Sequence, residues 1–202
     1  MSNDPAPDNA VRARLDAVCD EGWAIWERFD STVRVRGFHP FVAADYDEVR
    51  AALESLPSKG RRFLEWGSAS GVITVMADVL GFQAFGIELD SSLVRTAREF
   101  ASRHQSTAQF VVGSFLPTGY RWRNAGKEQN SEWTGDGPSG YLELGLALDD
   151  FDVVFGYPWR GEAAMMLDLM KQYGNPDATL LLHDTNEGVT AYRRGRVLKL
   201  EA

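Results

Sequence analysis

The chain of 202 residues has one cysteine, Cys19, which excludes an intrachain disulfide and any zinc site built from several cysteines. It has no apolar run near the ~18 residues that would suggest a membrane span. Its opening, MSNDPAPDNA, is polar and proline-bearing and lacks the apolar stretch of a signal peptide, so a cytoplasmic location is expected. Positive charge is in short supply: 21 Lys plus Arg stand against 29 Asp plus Glu, for a formal net charge of −8. Such a field repels phosphate, which disfavours bulk binding to nucleic acid or to an anionic lipid surface. There is no internal repeat. What is present is ordinary for a globular chain, with 44% hydrophobic and 25% charged residues. The length suits one domain with a full core.

Residues 1–8 read as a disordered tail and residues 9–60 as an N-terminal helical cap. In the first helix Val11, Leu15, Val18, Ile25 and Phe29 fall near one face, with Trp23 and Trp26 beside them as core candidates. A second helix starts at an N-cap, Asp45, with Glu48 three residues on, carries the apolar stripe Tyr46, Val49, Leu53 and Leu56, and stops at Pro57. From Arg61 the pattern alternates. Strands are expected at 62–66, 82–88, 108–112, 151–155 and 178–182, with helices at 71–80, 92–103 and 163–173. Strands alternating with helices imply a parallel sheet covered on both faces. Val189 to Leu200 reads as a hairpin turning at Arg194-Gly195, which adds antiparallel edge strands. The fold class is therefore α/β: a doubly wound, mostly parallel sheet of about seven strands with a C-terminal antiparallel hairpin. An insertion at 116–148 interrupts it, far longer than the usual connection of about 2–6 residues.

The chemistry concentrates in FLEWGSASGVIT, Phe63 to Thr74. A buried strand ends at Glu65 and Trp66, Gly67-Ser68-Ala69-Ser70-Gly71 forms a tight turn, and a helix opens at once. Small residues let a ligand approach the backbone, and the helix N-terminus offers free N–H groups. The next strand ends in Glu88, placed to accept hydrogen bonds from both hydroxyls of a ribose. A nicotinamide dinucleotide site calls for G-x-G-x-x-G. Here the glycines are misplaced, and Glu65 would repel a pyrophosphate. A ligand with a ribose and an ammonium group fits better than a diphosphate. The competing reading is a strand–turn–helix junction that binds nothing.

ExGxxxG at Glu65–Gly71, followed by GIELD at Gly86–Asp90, resembles the first two motifs of class I S-adenosylmethionine-dependent methyltransferases, a Rossmann-like superfamily. The resemblance covers roughly Arg61 to Asp184, within a methyltransferase domain at 61–202. It implies S-adenosylmethionine as cofactor. Gly67, Ser68 and Gly71 then lie under its methionine portion, with Glu65 and Trp66 nearby. Glu88 binds the ribose hydroxyls and Leu89 touches the adenine. After the third strand the family commonly has an acid–hydrophobic pair. Here Gly113-Ser114-Phe115 lacks the acid, so Ser114 is expected to supply the hydrogen bond and Phe115 to pack on the ring. Ala69 stands at the family's middle glycine.

Gly156-Tyr157-Pro158-Trp159, after the fourth strand, is partly similar to the Asp/Asn-Pro-Pro-aromatic motif of amino-group methyltransferases, but Gly156 lacks the amine-binding side chain. Tyr157, Pro158 and Trp159 are expected to form an aromatic wall at the acceptor, with a cation–π role for the rings. His183 and Asp184 end the fifth strand on the same rim. With Tyr157 they are the catalytic candidates, His183 or Asp184 as base for a hydroxyl acceptor. No metal is expected, because the fourth strand supplies no acid to join Asp184 and Asn186. His39 and the segment Phe38 to Phe41 read as loop, the resemblance offering a cover over the cofactor as the other reading; His104 reads as a helix end and Cys19 as a buried thiol. Arg193, Arg194 and Arg196 on the hairpin, and Arg121, Arg123 and Lys127 in the insertion, read as solvated charge, with attraction of an anionic acceptor as the other reading. The function expected is methyl transfer to an acceptor that is a small molecule or a protein. The alternatives are a non-catalytic module binding the same cofactor and, further off, a NAD-dependent oxidoreductase.

Overall fold

A computed structural model describes residues 9–36, 41–122, 137–159 and 161–200. The expected tail at 1–8, Phe38, His39, Arg123 and Lys127 lie outside the described residues. Helix α1 (Asn9–Thr32) and helix α2 (Tyr46–Glu54) precede the alternating region. There follow β1 (Arg62–Trp66), α3 (Val72–Val79), β2 (Gln83–Glu88), α4 (Ser91–Arg103) and β3 (Gln109–Val112). After the insertion come β4 (Val153–Gly156), α6 (Ala163–Tyr173), β5 (Thr179–Asp184), β6 (Gly188–Arg193) and β7 (Arg196–Leu198). The insertion contributes one short helix of its own, α5 (Gly140–Leu144), and a 3-10 turn at Leu148–Asp150.

The seven strands form one sheet in the order β3-β2-β1-β4-β5-β6-β7. The first five pair in parallel, and β5–β6 and β6–β7 pair antiparallel. The hairpin turns where the sequence implies. Arg194 and Gly195 both have positive φ, 52° and 70°, the conformation that matches the twist of a two-residue β-turn.

The period-two alternation of β1 decides which layer each side chain serves. Phe63 packs toward α1–α4, with Val75, Met76, Ala97 and Phe100, in the first core. Leu64 and Trp66 face α5 and α6, with Tyr141, Phe151, Met166 and Leu169, in the second. Fully buried Phe63, Phe100, Phe151 and Phe155 each contribute roughly 1.5–3 kcal/mol of transfer free energy. Helix α1 approaches α3 through Gly22, where a Cβ would meet Val72 at 2.8 Å. This shifts the contact face to Leu15, Val18, Cys19 and Gly22 and leaves Trp23 39% exposed, contrary to its expected place in the core.

Asp45 caps α2 as its sequence implies, accepting from the backbone N–H of Asp47 and Glu48 at 3.0 and 3.1 Å. Glu48 departs from the reciprocal half of that pattern. Its carboxylate lies over Gly188 and 3.4 Å from His183 Nε2. The N–H of Asp45 donates to His183 Nε2 instead, at 3.4 Å. A strand-end histidine has taken the place of the local glutamate. Among the described residues no helix is long and apolar enough to cross a membrane.

Candidate functional site

The chain runs outward from β1 to β3 and then resumes on the other side of β1 with β4. Such a reversal leaves a crevice at the carboxyl ends of the two strands. A cavity of about 800 Å³ lies there, walled by the β1–α3 turn, the ends of β2, β4 and β5, and the segment before α2.

The turn owes its shape to alternating backbone handedness. Gly67, Ala69 and Gly71 have φ of 68°, 45° and 81°. The N–H groups of Gly67 and Ser68 both donate to Ile87 O, at 2.9 and 3.0 Å, which ties the turn to β2. A Cβ on Gly67 would meet nothing within 4 Å, so this glycine presents bare backbone to open space. A Cβ on Gly71 would sit 2.7 Å from the Phe110 ring and 2.8 Å from Ala97. Gly71 is not among the residues lining the cavity. Its lack of a Cβ lets the turn settle on α4 and β3. Gly86, under GIELD, is bare because the Ser68 side chain occupies the space a Cβ would need. Ser68 lines the cavity and keeps a buried hydroxyl with no hydrogen-bond partner.

Two carboxylates flank this turn. Glu65 is 4% exposed and accepts from both the N–H and the hydroxyl of Thr74 in α3. Burial pushes its pKa up to about 8 against those bonds, with the nearby Glu88 adding to the rise. Glu88 accepts from Ala69 N and Asp90 N, both at 2.9 Å, and is also raised, chiefly by burial. Leu89 and Phe115 line the cavity. Ser114 does not. Its hydroxyl accepts from Leu116 N at 3.0 Å and its N–H donates to Pro138 O at 2.9 Å, which fixes a local turn. Gly113 lines the wall in its place. Trp66 borders the cavity, but its indole N–H donates to Tyr141 Oη at 2.8 Å and its ring stacks on Phe115 at 5.4 Å. It backs the site as a core residue.

Tyr157, Pro158 and Trp159 all line the cavity, as expected of the segment after β4. Glu162 joins them, its carboxylate accepting from Trp159 N at 2.9 Å. A Cβ at Gly156 would meet Met166 Sδ at 2.8 Å, so Gly156 lets α6 approach β4 closely. The two proposed bases fare differently from expectation. His183 is 3% exposed and is not among the lining residues. Its ring lies edge-on to Tyr157 at 4.7 Å, Nε2 faces Asp45 and Glu48, and Nδ1 is buried without a partner. That holds it between the N-terminal segment and β5, against Tyr157 of the cavity wall. Asp184 lines the cavity, but its carboxylate accepts from the N–H of Asn186 and Glu187 and is held below the ordinary carboxylate range mainly by the first of these. A carboxylate so stabilised is a weak base. Among the described residues no group of three His, Cys, Asp or Glu side chains could hold a metal ion.

Sequence reasoning admits Phe41 as part of a segment covering the cofactor but prefers a loop, and it misses the wall supplied by Val42, Ala43, Ala44 and Tyr46. The one local signal was the Asp45 cap, which places Tyr46 at the first turn of α2. Burial raises the Tyr46 phenol, and the neighbouring Glu65 raises it further. Cys19 is buried as expected, and desolvation pushes its thiol up to about 11.

No family model matches the chain. Over 103 residues it is 28% identical to a ribosomal protein L11 methyltransferase of Thermus thermophilus, an alignment covering 48% of this chain and 41% of that protein. Over 68 residues it is 34% identical to a ribosomal protein L11 methyltransferase of Neisseria gonorrhoeae, covering 33% of this chain and 23% of that one. The chain thus spans less than half the length of these curated relatives. Among solved structures, an RNA methyltransferase from Salinibacter ruber in complex with S-adenosyl-L-homocysteine has a TM-score of 0.53 at 18% identity, over 71% of this chain and 78% of that one. A precorrin-6y C5,15-methyltransferase from Geobacter metallireducens has a TM-score of 0.50 at 13% identity, over 74% and 69%. These likenesses concern the fold.

Proposed function

From a chain that has the Rossmann-like fold of class I methyltransferases, we propose that it is an S-adenosylmethionine-dependent methyltransferase. The observation that carries this reading is the pair of carboxylates, buried Glu65 and half-buried Glu88, on the ends of adjacent strands with the bare backbone of Gly67 beside them. The residues fit the cofactor. Glu65 faces its ammonium group and Glu88 its ribose hydroxyls. Leu89 and Phe115 wall the adenine, and the turn at Gly67 and Ser68 admits the methionine portion.

When bound, the cofactor supplies a methyl group activated on a sulfonium. The chain aligns the acceptor and keeps water out, which is most of what such a transfer needs. Tyr157, Pro158 and Trp159 shape the acceptor side, and Phe41–Ala44 with Tyr46 close the opposite wall. The ribosomal protein L11 methyltransferases that it resembles act, by name, on a protein, which supports a protein acceptor beside a small molecule. The displacement of His183 from the cavity favours a second reading, a module that binds the cofactor without turnover.

Calorimetric titration with S-adenosylmethionine, S-adenosylhomocysteine and NAD tests the cofactor. Binding of the first two and not the third is expected. Glu88→Ala should then weaken binding by about 1–3 kcal/mol, the loss of a charged hydrogen-bond partner. Binding of NAD alone overturns the reading. Cofactor binding without methylation of any acceptor offered favours the module.

A further inference from the structure

We propose that Thr74, which does not line the cavity, is a positioning residue for the cofactor: it holds one oxygen of Glu65 and so keeps that carboxylate charged and oriented for the ammonium group. The proposal rests on the cofactor reading above and adds the residue on which Glu65 depends.

The geometry starts in β1. Period-two alternation puts Glu65 on the same face as Phe63, toward α3. Helix α3 needs a partner there. Its N-cap, Gly71, has no side chain to accept from the first-turn N–H groups, and no acid stands in that turn. Glu65 takes the role from across the turn. Its Oε2 accepts from Thr74 N at 2.9 Å and also from Thr74 Oγ1. A threonine inside a helix can turn its hydroxyl to a carbonyl four residues back. Thr74, third in α3 and fully buried, turns it to a carboxylate nine residues back. Glu65 lines the cavity and Thr74 does not. With Oε2 committed to both donors, Oε1 accepts no hydrogen bond among the described residues and is left for a ligand.

Electrostatics give the pair its importance. Glu65 attracts an ammonium group as a charge only while it is ionised. Burial is the largest influence on it and opposes ionisation, and Glu88 of β2 opposes it as well. The hydroxyl and the N–H of Thr74 favour the charged form. Tyr46 of α2 adds no positive charge, because burial and Glu65 itself keep its phenol protonated. Loss of the Thr74 hydroxyl therefore moves Glu65 further toward its neutral form and frees its carboxyl to turn. The ribose and adenine contacts at Glu88, Leu89 and Phe115 belong to β2 and the segments after β2 and β3, so they stay as they are.

The test uses the full chain and two ligands. S-adenosylhomocysteine carries the ammonium group, and 5′-methylthioadenosine keeps the nucleoside but lacks the amino acid. Both are titrated calorimetrically from about pH 6 to about pH 9, a range that brackets the raised Glu65 value. For the unaltered chain, S-adenosylhomocysteine should bind more tightly as Glu65 loses its proton, while methylthioadenosine stays level. Thr74→Val keeps the side-chain shape and removes the hydroxyl. It should weaken S-adenosylhomocysteine ~10-fold at the acid end, the change for about one pKa unit, and shift the rise to higher pH. Methylthioadenosine should change less than ~2-fold, and Thr74→Ser should restore both the affinity and the pH profile. Equal weakening of the two ligands overturns the proposal, because it marks a merely structural role. An unmoved pH profile in Thr74→Val, or a serine variant that behaves like the valine one, overturns it too. Where Thr74→Val does not unfold cooperatively, Thr74→Ala takes its place with the same outcomes. Failure of the unaltered chain to bind S-adenosylhomocysteine takes down the cofactor reading and this proposal together. Binding that Thr74→Val leaves unchanged takes down this proposal alone.

Discussion

The two halves of the cavity rim are assembled differently. On the β1–β2 half the governing residues lie between Glu65 and Asp90, and their bonds close over short stretches: Glu65 to Thr74, Ala69 to Glu88, Glu88 to Asp90. On the β4–β5 half the decisive contact joins Asp45 to His183, 138 residues apart. The local half combines strand alternation, positive φ and small residues, so its chemistry is written in one motif. The distant half depends on where the N-terminal segment lands on the sheet.

Substitutions can break that contrast. The largest effect is expected at Gly71. Gly71→Ala combines positive φ with a Cβ inside the Phe110 and Ala97 contacts, and should cost about 3 kcal/mol or more in urea unfolding. Gly67→Ala meets open space, so only its φ resists, at about 1 kcal/mol, while cofactor binding falls. Equal stability losses would show that the two glycines do not divide packing from binding.

His183→Ala comes next. It strips the Asp45 N–H of its acceptor and should cost about 1–3 kcal/mol. Amide exchange should rise from Phe41 to Tyr46. Asp184→Ala, one residue on, loses the turn bonds to Asn186 and Glu187 but should leave exchange from Phe41 to Tyr46 unchanged. If both variants behave alike, His183 does not link the cap to the sheet.

A pH series probes the local half by itself. Burial raises Glu65 from 4.5 to about 8. Within that window the folded chain retains a proton that the unfolded chain releases, so stability falls as pH rises from 4.5 toward 8. Glu88, raised for the same reason, adds a slope of the same sign. Glu65→Gln should flatten the Glu65 part, and an unchanged slope in urea unfolding across this range would contradict it. The smallest effect is at Ala69, an L-residue held at φ 45°. Ala69→Gly should raise stability by a fraction of about 1 kcal/mol, since relief of the left-handed strain exceeds the added unfolded-state entropy.

Much of this was legible beforehand. Strand β1 and helix α6 have the bounds their sequence implies, and the hairpin turns at Arg194-Gly195. Periodicity and turn chemistry are local properties, so a linear reading captures them. Strand β5 runs two residues past its expected end, through His183 and Asp184, because β6 pairs with them. That extension puts a histidine against α2 that, read along the chain, looked like a base.

The amino-acid sequence by itself determined the alternation of strands and helices, the handedness of the glycine turn and the two acids beside it. Each depends on neighbours within a few residues or on one strand–turn–helix unit. Only the tertiary structure decided that Trp66 and Ser114 serve the core and a turn, that Gly71 is a packing glycine, and that Phe41–Tyr46 wall the cavity. Those outcomes hinge on which atoms from distant segments compete for the same space and the same hydrogen bonds, and spacing along a chain carries no record of that competition.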